Sequence, residues 1–292
     1  MVIQVPKIVN VVVLYQPDTA IINFWYDFIN KGELLIAVLN ASALTDLSSI
    51  DILKFTKLIL NQENLGLAIA LNQGLAVVKD MGASHVMLLD QDSQPPVGMG
   101  HSLAVQLETL KNTGEPYAAI GPTLLDRKAG AALHSSSDVE ASIDKSIIDW
   151  PSIATSGTVI DMAALEMIGD MRDDLFIDGI DHEWCHRARS KGFRVGASTR
   201  ITMPHDMGDD GIIFFGRYRP IHRSPSRHYY IVRNTLRLAQ LSYISRKWRV
   251  KEIAKLLYRI PAYILNSSDR IATFKSIFRA FQDWQVLKME EA

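Results

Sequence analysis

The sequence predicts an α/β protein in which a mainly parallel, doubly wound sheet is followed by a C-terminal helical extension. Short segments rich in β-branched and other apolar residues, such as 8–14 (IVNVVVL), are typical of strands that are buried on both faces. Segments with helical spacing separate these strands, and this alternation favours parallel neighbours. Beyond about residue 224 the pattern is helical to the end.

In the first part of the chain each predicted element ends at a residue that favours a turn. In order, the elements are a strand at 8–14, a helix at 20–31, strands at 34–39 and near 56–60, a helix at about 67–81, a strand ending at Asp90, and a helix at about 98–113. The helices stop at glycines, which accept the left-handed conformation of many helix ends (Gly32, Gly82 and Gly114). The first strand stops before Gln16–Pro17.

The second part of the chain is less regular. Its predicted elements are strands at 117–121, 155–160 and 195–203, helices at 161–168 and 181–191, and tail helices at 226–243, 248–259 and 268–286. The segment 126–152 is rich in Ser, Ala, Asp and Gly, which suits a flap over a cleft. We therefore expect an α/β domain at 1–224 and a helical region at 225–292.

Charge is distributed unevenly along the chain. The 292 residues carry a net charge of −1 and a mean hydropathy of +0.05, as in ordinary globular proteins. The segment 217–259 nevertheless holds twelve Lys and Arg residues against Glu252 alone. This predicts an anionic partner: a phosphate, a nucleic acid or a membrane surface. No recognised nucleic-acid motif accompanies the charge, so nucleic acid is the weakest of the three.

The sequence also indicates a cellular compartment. Cys185 is the single cysteine, which excludes an intramolecular disulfide and fits a reducing environment. We find no signal-peptide pattern and no run of about 18 uninterrupted apolar residues. We therefore expect a cytoplasmic protein. For its basic, amphipathic tail three interpretations stay open: peripheral contact with the inner membrane, packing on the α/β domain, and a homodimer contact.

The most informative motif is Asp90–Gln91–Asp92, between an apolar strand at 85–89 and Pro95–Pro96. Open α/β sheets bind ligands at the carboxyl ends of their strands, where these carboxylates are expected. Two hard oxygen ligands without a neighbouring His or Cys suit Mg²⁺ or Mn²⁺ held together with a phosphate group. The alternative is a solvated turn, since Asp, Ser and Pro are common turn residues.

Small residues cluster at the start of the predicted helix at 67–81 (Gly66, Ala68, Ala70 and Gly74), beside Asn64 and Asn72. A helix N-terminus attracts anions through its unpaired N–H groups, and small residues would let a ligand approach it. Tight packing of the helix on the sheet explains the same residues equally well. The Gly-Lys-Ser/Thr ending of a P-loop is missing.

Three carboxylates, Asp178, Asp181 and Glu183, cluster where the helix at 181–191 begins. The helix dipole favours acids in a first turn, so capping explains one or two of them. A third, flanked by Phe176 and Trp184, could be partly desolvated and tuned as a general base. The residue types alone leave the three nearly equal.

His205 follows the strand-like segment 195–203. A lone histidine is more often a surface or packing residue than a metal ligand. In a loop after a strand, however, it could complete a metal site that Asp90 and Asp92 begin.

Five segments together resemble a known family: NLGLAIALNQG, LLDQDSQPP, SGTVI, FIDGIDHEWCHR and PHDMGD. They are similar to the inverting family 2 nucleotide-sugar glycosyltransferases, and most to the bacterial rhamnosyltransferases of polysaccharide assembly. The resemblance covers roughly residues 8–235. It implies a GT-A fold with 1–224 as the donor-binding and catalytic domain. It also implies metal-dependent transfer of L-rhamnose from dTDP-β-L-rhamnose to a glycan or lipid-linked glycan, as in O-antigen assembly of lipopolysaccharide.

The resemblance implies roles for individual residues. Asp90 and Asp92 would contact a divalent cation (Mg²⁺ or Mn²⁺), His205 would be a further ligand, and Asp181 would deprotonate the acceptor hydroxyl. The donor side would comprise Tyr15, Pro17, Asn40, Asn64, Asn72, Asp90, Gln91 and Asp92. The acceptor side would comprise Gly157, Asp178 and Trp184.

The chain departs from the family pattern at one position. Where the family carries an acidic residue after the second strand, this chain has Leu39. UDP-hexose and UDP-galactofuranose therefore stay alternative donors, and a non-catalytic sugar-nucleotide or glycan-binding module stays an alternative function. At 227–234 (RHYYIVRN) the chain resembles the Arg-Tyr-Tyr-x-x-Arg-Asn element that the family often shows there.

Overall fold

The computed structural model describes residues 6–40, 54–126, 131–132, 146–205, 209–214, 217–221 and 224–286. At 126, 131–132, 205, 209–214, 217–221 and 285–286 it describes the backbone alone. Most of the predicted flap at 126–152 therefore lies outside the described residues.

One mixed sheet organises the described chain. Its strands are β1 (Ile8–Leu14), β2 (Leu35–Asn40), β3 (Lys57–Asn61), β4 (His85–Asp90), β5 (Tyr117–Asp126), β6 (Ala131–Ala132), β7 (Ile147–Asp149), β8 (Thr158–Asp161) and β9 (Arg194–His205). The spatial order is β3-β2-β1-β4-β8-β5-β9-β7, with β6 paired to β5. β3, β2, β1, β4, β5 and β9 share one direction, while β6, β7 and β8 oppose it. The predicted fold class is confirmed.

Helices cover both faces of the sheet, which gives three layers. They are α1 (Thr19–Asn30), α2 (Leu67–Asp80), α3 (Met99–Asn112), α4 (Met162–Ile168) and α5 (Ile180–Ser190), with a 3-10 turn at Asp173–Leu175. α1 and α3 pack on one face, and α2, α4 and α5 pack on the other. In β1, Val11 and Val13 enter the core beside α2, whereas Val12 and Leu14 enter the core beside α1. Two apolar cores explain the continuous hydrophobic pattern of this strand.

The chain ends in three helices, α6 (Pro225–Leu238), α7 (Arg246–Asn266) and α8 (Arg270–Val286). They share a small core composed of Val232, Leu256, Tyr263, Ile277 and Ala280. Leu238 of α6 also enters the core beside α2 and α5, so α6 connects the tail to the α/β part. In the part of the chain that is described, no helix has the length and apolar character of a membrane-spanning segment.

Several predicted boundaries are wrong for identifiable reasons. α6 ends at Leu238 rather than at 243 because the chain turns there and buries Leu241 and Ile244 in the main core. α7 continues past 259 to Asn266 with Pro261 inside it. Proline leaves the carbonyl four residues earlier without its helical partner, which is tolerable where Leu257 is 80% exposed and water is near.

Two strand features also differ from the sequence-based prediction. β5 extends beyond residue 121 to Asp126, because its second half pairs in parallel with the end of β9 after an irregularity at Gly121. A hairpin of β10 (Asp209–Phe214) and β11 (Arg217–Ile221) follows β9. The sequence did not predict this hairpin.

Candidate active site

Four parallel strands end side by side at one edge of the sheet. The register pairs Val13 of β1 with Asp90 of β4, and Asn40 of β2 with Asn61 of β3. Tyr15 follows β1 directly, and 45% of its surface is exposed. The carboxyl ends of parallel strands are where α/β sheets bind ligands, so this edge is the candidate site.

The turn after β4 presents two carboxylates from a fixed backbone. The Ser93 N–H donates to the carbonyl of Asp90 at 3.0 Å, and the Ser93 hydroxyl accepts the Asp90 N–H at 3.0 Å. The same buried hydroxyl lies 2.6 Å from the hydroxyl of Ser156, which ties the turn to the start of β8. The Asp92 side chain is exposed and that of Asp90 is half-buried.

Gln91 holds the neighbouring loop together. Its Oε1 accepts the Tyr15 N–H at 2.8 Å, and its carbonyl accepts the indole N–H of Trp25 at 3.2 Å. These bonds close the loop between β1 and α1, in which Gln16 has a φ of +45° and Pro17 is half-buried. The Gln91 side chain therefore fixes the backbone beside the exposed tyrosine ring, and its expected contact with a donor stays a prediction.

Asn40 is buried, and its amide is fully used inside the protein. Its Nδ2 donates to Asn64 Oδ1 and to the Gly66 carbonyl, both at 3.0 Å. Its Oδ1 accepts the Leu65 N–H at 3.0 Å and Asn61 Nδ2 at 3.1 Å. Asn40 thus holds the loop between β3 and α2, and its expected role on the donor side stays a prediction. The side chain of Asn64 is exposed at the same edge.

Asn72 and Trp184, which are expected to face ligands, also make hydrogen bonds that stabilise the fold. Asn72 Nδ2 donates to the Met171 carbonyl at 2.8 Å and to the Asp173 carboxylate at 2.6 Å, while its Oδ1 accepts the Met171 N–H at 2.9 Å. Trp184 is 2% exposed, and its indole N–H donates to the Gly169 carbonyl at 3.0 Å. Their polar atoms bond to these loops, and the expected contacts of Asn72 with the donor and of Trp184 with the acceptor stay predictions.

The N-terminus of α2 is occupied by the protein itself. Its first two N–H groups donate to the carbonyl of Phe176 at 2.6 and 3.4 Å. A Cβ at Gly66 would lie 2.6 Å from the Phe176 ring, and one at Gly74 would lie 2.4 Å from Val11 Cγ1. The small residues therefore serve close packing, and the Phe176 carbonyl occupies two of the N–H groups that would attract an anion to this helix end.

The Phe176 carbonyl lies in a strained loop. Phe176 has φ 66° and ψ −62°, and the Ile177 N–H donates to the Leu175 carbonyl at 2.8 Å, which makes a γ-turn of the rare positive-φ kind. Asp178 has a φ of +63°. Each such non-glycine residue costs roughly 1–3 kcal/mol and persists only where its surroundings enforce it. The loop at 174–178 therefore needs external support.

Three buried side chains of α6 supply that support: Arg233, Asn234 and Arg237, here called the α6 clamp. Asn234 Nδ2 donates at 2.7–2.9 Å to the carbonyls of Leu175, Ile177 and Asp178. Arg233 and Arg237 donate to the Asp174 carbonyl at 3.1 and 2.9 Å. Arg233 and Asn234 lie in the family element at 227–234, but the sequence pattern gives none of the three residues a role. The sequence signal that could have identified them is the presence of polar residues at core-facing positions of a predicted helix, since buried polar groups need hydrogen-bond partners.

The structure distinguishes the three carboxylates at the start of α5, which the residue types alone leave nearly equal as candidates for a general base. Glu183 is fully buried, receives two bonds from Arg187 at 2.8 and 2.9 Å, and accepts the Tyr243 hydroxyl at 2.5 Å. Burial and this carboxylate raise the pKa of Tyr243. Asp178 lies 3.1 Å from the guanidinium of Arg227. Because guanidinium groups neutralise both carboxylates, neither suits a general base.

Asp181 is in a different environment at the start of α5. Its half-buried carboxylate accepts the His182 N–H at 2.8 Å, and no cationic side chain among the described residues pairs with it. His182 Nδ1 lies 2.7 Å from the Ser152 hydroxyl. Four residues further on, Ser156 contacts Ser93 beside Asp90. The segment 152–156 therefore links the start of α5 to the turn that carries Asp90, and four extended residues span at most roughly 14 Å.

The segment that connects these two ends is tightly packed. Gly157 has a φ of +77°, and a Cβ there would lie 3.0 Å from Pro122 and 3.1 Å from Met203. Packing at the start of β8 therefore requires this glycine, and its expected place in an acceptor pocket stays a prediction. Cys185 of α5 is buried against the Ile153 carbonyl, 3.9 Å from its Sγ, and burial raises the pKa of its thiol to about 12.

The backbone locates the third predicted metal ligand. His205 is the last residue of β9 and pairs with Asp126 at the end of β5. Both strands run in the direction of β4, so their carboxyl ends face the edge that carries Asp90. The side chain of His205 lies outside the described residues. The metal site itself stays a prediction.

Another cluster of possible metal ligands lies at the opposite edge of the sheet. His85, Glu108 and Asp161 bring their ligand atoms within 4.8 Å of one another, beside a cavity of about 470 Å³. The Lys111 ammonium contacts Asp161 and lies 2.9 Å from Glu108. Burial lowers the pKa of His85. Because Lys111 already balances these carboxylates, the cluster is an ion-pair network that joins α3 to the sheet.

Comparison with known proteins identifies the class of enzyme. The chain matches no protein-family model. It is 26% identical over 286 residues to the dTDP-rhamnosyl transferase RfbF of Shigella flexneri, and the match spans 95% of each chain. The chain is a glycosyltransferase. The resemblance to the family 2 rhamnosyltransferases is thereby confirmed.

Solved structures show that this glycosyltransferase has the GT-A fold. GalNAc-T7, crystallised with UDP, GalNAc and Mn²⁺, is similar with a TM-score of 0.54 at 11% identity, over 96% of this chain and 58% of GalNAc-T7. S. aureus TarS 1-349 in complex with UDP-GlcNAc is similar with a TM-score of 0.50 at 13% identity, over 95% of this chain and 80% of TarS 1-349.

Replacing Asn234 with Asp tests the α6 clamp. The change removes the amide donor and places a carboxylate against three carbonyl oxygens, so we expect the glycosyltransferase to lose roughly 2–4 kcal/mol of unfolding free energy. Urea denaturation of the variant and the wild type measures this loss of unfolding free energy. The matched control is Asn266→Asp, whose amide donates to the Ala262 carbonyl on an exposed helix surface. Its expected cost is below about 0.5 kcal/mol. Equal costs for the two variants would contradict the clamp.

Proposed function

We propose that this glycosyltransferase is an inverting rhamnosyltransferase that transfers L-rhamnose from dTDP-β-L-rhamnose to a hydroxyl group of a glycan. The observation that carries the proposal is the end-to-end similarity to a dTDP-rhamnosyl transferase. The acceptor would be lipid-linked, and the reaction would belong to cytoplasmic assembly of a cell-surface polysaccharide such as O-antigen. Residues 1–224 would bind the donor and catalyse the reaction, while 225–292 would support them through the α6 clamp.

Tyr15 would recognise the nucleotide base. Its ring is exposed at the end of β1, and Gln91 fixes the backbone beside it, so it offers a stable stacking surface. Leu39, which stands where the family carries an acid, is 3% exposed and packs in the core. Base or ribose recognition would therefore rely on Tyr15 and on Asn64, which is exposed at the same edge.

Asp90, Asp92 and His205 would hold a divalent cation, either Mg²⁺ or Mn²⁺. The exposed Asp92 and the half-buried Asp90 are hard oxygen donors of the kind that these cations prefer together with phosphate. Bound there, the cation would neutralise charge on the departing nucleoside diphosphate. GalNAc-T7, a protein of the same fold, was crystallised with Mn²⁺.

Asp181 would accept the proton of the acceptor hydroxyl. The acceptor oxygen would form its bond to the anomeric carbon on the face opposite the nucleoside diphosphate, as the bond to that diphosphate breaks. This geometry inverts the anomeric configuration, by analogy with inverting glycosidases. The support for Asp181 is electrostatic, since Asp178 and Glu183 are paired with guanidinium groups and Asp181 has no such partner among the residues described.

Donor identity can be read from thermal denaturation with dTDP-rhamnose, UDP-glucose, UDP-galactose and GDP-mannose in the presence of Mn²⁺. We expect dTDP-rhamnose to raise the Tm most, because at equal concentrations the donor with the lowest Kd stabilises the native state most. At a hundredfold excess over Kd this stabilisation is about 2.7 kcal/mol. A larger shift with a UDP-sugar would refute the rhamnosyl donor and leave the enzyme class intact.

Replacing Asp181 with Asn tests the base. Loss of proton transfer should lower kcat by about 10²–10⁴-fold, whereas the Kd of the donor should stay within about twofold, because the amide keeps the size of the side chain. The matched control is Asp170→Asn, since Asp170 forms an exposed pair with Lys79. Turnover by Asp181→Asn at the rate of this control would remove Asp181 from the mechanism.

Replacing Asp92 with Ala tests the metal site. Titration of donor with and without Mg²⁺ should show that the metal-dependent gain in affinity falls at least about tenfold, because a charged ligand to the cation is lost. Asp80→Ala, at an exposed position near the end of α2, is the control. The metal role of Asp92 fails if Mg²⁺ strengthens donor binding equally in both variants.

A further inference from the structure

α8 displays an apolar stripe that the fold does not cover. Its members, with their exposed fractions, are Ile271 (70%), Phe274 (60%), Phe278 (57%) and Phe281 (41%). Their spacing of three, four and three residues places them along one side of the helix. A different face of α8 is used for folding, where Thr273, Ile277 and Ala280 are buried. The stripe is therefore surplus to the packing of the tail.

α7, which packs on α8, carries a second exposed set of apolar residues. Val250 is 62% exposed, Ile253 44% and Leu257 80%, again at a spacing of three and four. Leu256 and Tyr263 of the same helix are buried in the core of the tail. Large exposed apolar side chains in such a series are typical of a surface that binds something else.

The charge around the exposed apolar residues of α7 and α8 distinguishes between two possible partners, a second copy of the tail and an anionic surface. From 246 to 286 the sequence has nine Lys and Arg residues against three carboxylates. Glu252 pairs with Lys255 and Arg259, and Asp283 pairs with Arg279. Within the described chain the other cations have no carboxylate partner: Arg246, Lys247, Arg249, Lys251, Arg270 and Lys275. A second copy of the tail would bring two positive surfaces together, whereas an anionic surface would neutralise this one.

We infer that the apolar residues of α7 and α8 and the cations beside them bind an anionic lipid bilayer. The helices would lie in the plane of the interface, with the phenylalanine rings at the acyl boundary and the Lys and Arg side chains at lipid phosphates. The inference rests on the proposed function in one respect, namely that a lipid-linked acceptor would lie at such a surface. The binding itself needs neither donor nor acceptor.

Vesicle flotation with the full chain tests the inference. We expect binding to vesicles of equal parts phosphatidylcholine and phosphatidylglycerol, and little binding to phosphatidylcholine alone or at high salt. Phe274→Gln with Phe278→Gln should weaken binding about tenfold or more, since two buried rings are lost. Met167→Gln, which alters a side chain 59% exposed on α4, should bind as the wild type does.

Several outcomes would overturn the inference. They are no binding of the wild type to anionic vesicles, equal binding by the double variant, and a homodimer in sedimentation that the double variant dissociates. Lys247→Gln with Lys251→Gln provides a second variant, which should lose binding without altering the apolar residues. Failure here is separable from failure of the proposed function. Transfer to a soluble acceptor without vesicles should be unchanged in all these variants, and donor binding is measured independently.

Discussion

The hydrogen bonds to the Phe176 carbonyl are the interaction on which the candidate site depends. This oxygen accepts the first N–H groups of α2, and it can do so because Phe176 adopts a positive-φ γ-turn. The strain of roughly 1–3 kcal/mol per residue is offset by the α6 clamp, whose hydrogen bonds contribute about 0.5–1.5 kcal/mol each. The start of α2, the loop at 174–178 and α6 are far apart in sequence. Their hydrogen bonds together fix the loop that leads to Asp181.

Pairing within the protein decides which acidic groups remain for chemistry. Buried or partly buried guanidinium groups hold Glu183 and Asp178, and an ammonium group holds Glu108 and Asp161 at the opposite edge. At the candidate site Asp92 is exposed on a fixed turn and Asp181 lies at a helix start, and neither carboxylate pairs with a cationic side chain among the described residues. The GT-A fold brings the carboxyl ends of the strands together at one edge. Local ion pairs then determine which acidic side chains are neutralised by a cation.

Sequence patterns predicted the sheet and most helices because those depend on local periodicity and glycine stops. They do not reveal hydrogen-bond partners that are remote in sequence. Asn72 bonds Met171, 99 residues away, and Asn234 bonds the Leu175 carbonyl, 59 residues away. Nothing near either asparagine in sequence reveals such a partner. The helix that supports the loop at 174–178 lies beyond residue 224, in the C-terminal helical region.

Burial of the single thiol has a consequence for the chemistry of the whole molecule. A thiol of Cys185 with a pKa of about 12 carries almost no thiolate at neutral pH, and thiolate is the form that alkylating agents and oxidants attack. Cys185 lies one helical turn after Asp181 in α5, and its sulfur packs against the Ile153 carbonyl. Alkylation of Cys185 therefore requires that α5 open away from the sheet and expose the thiol. The rate of alkylation would report how often this opening occurs.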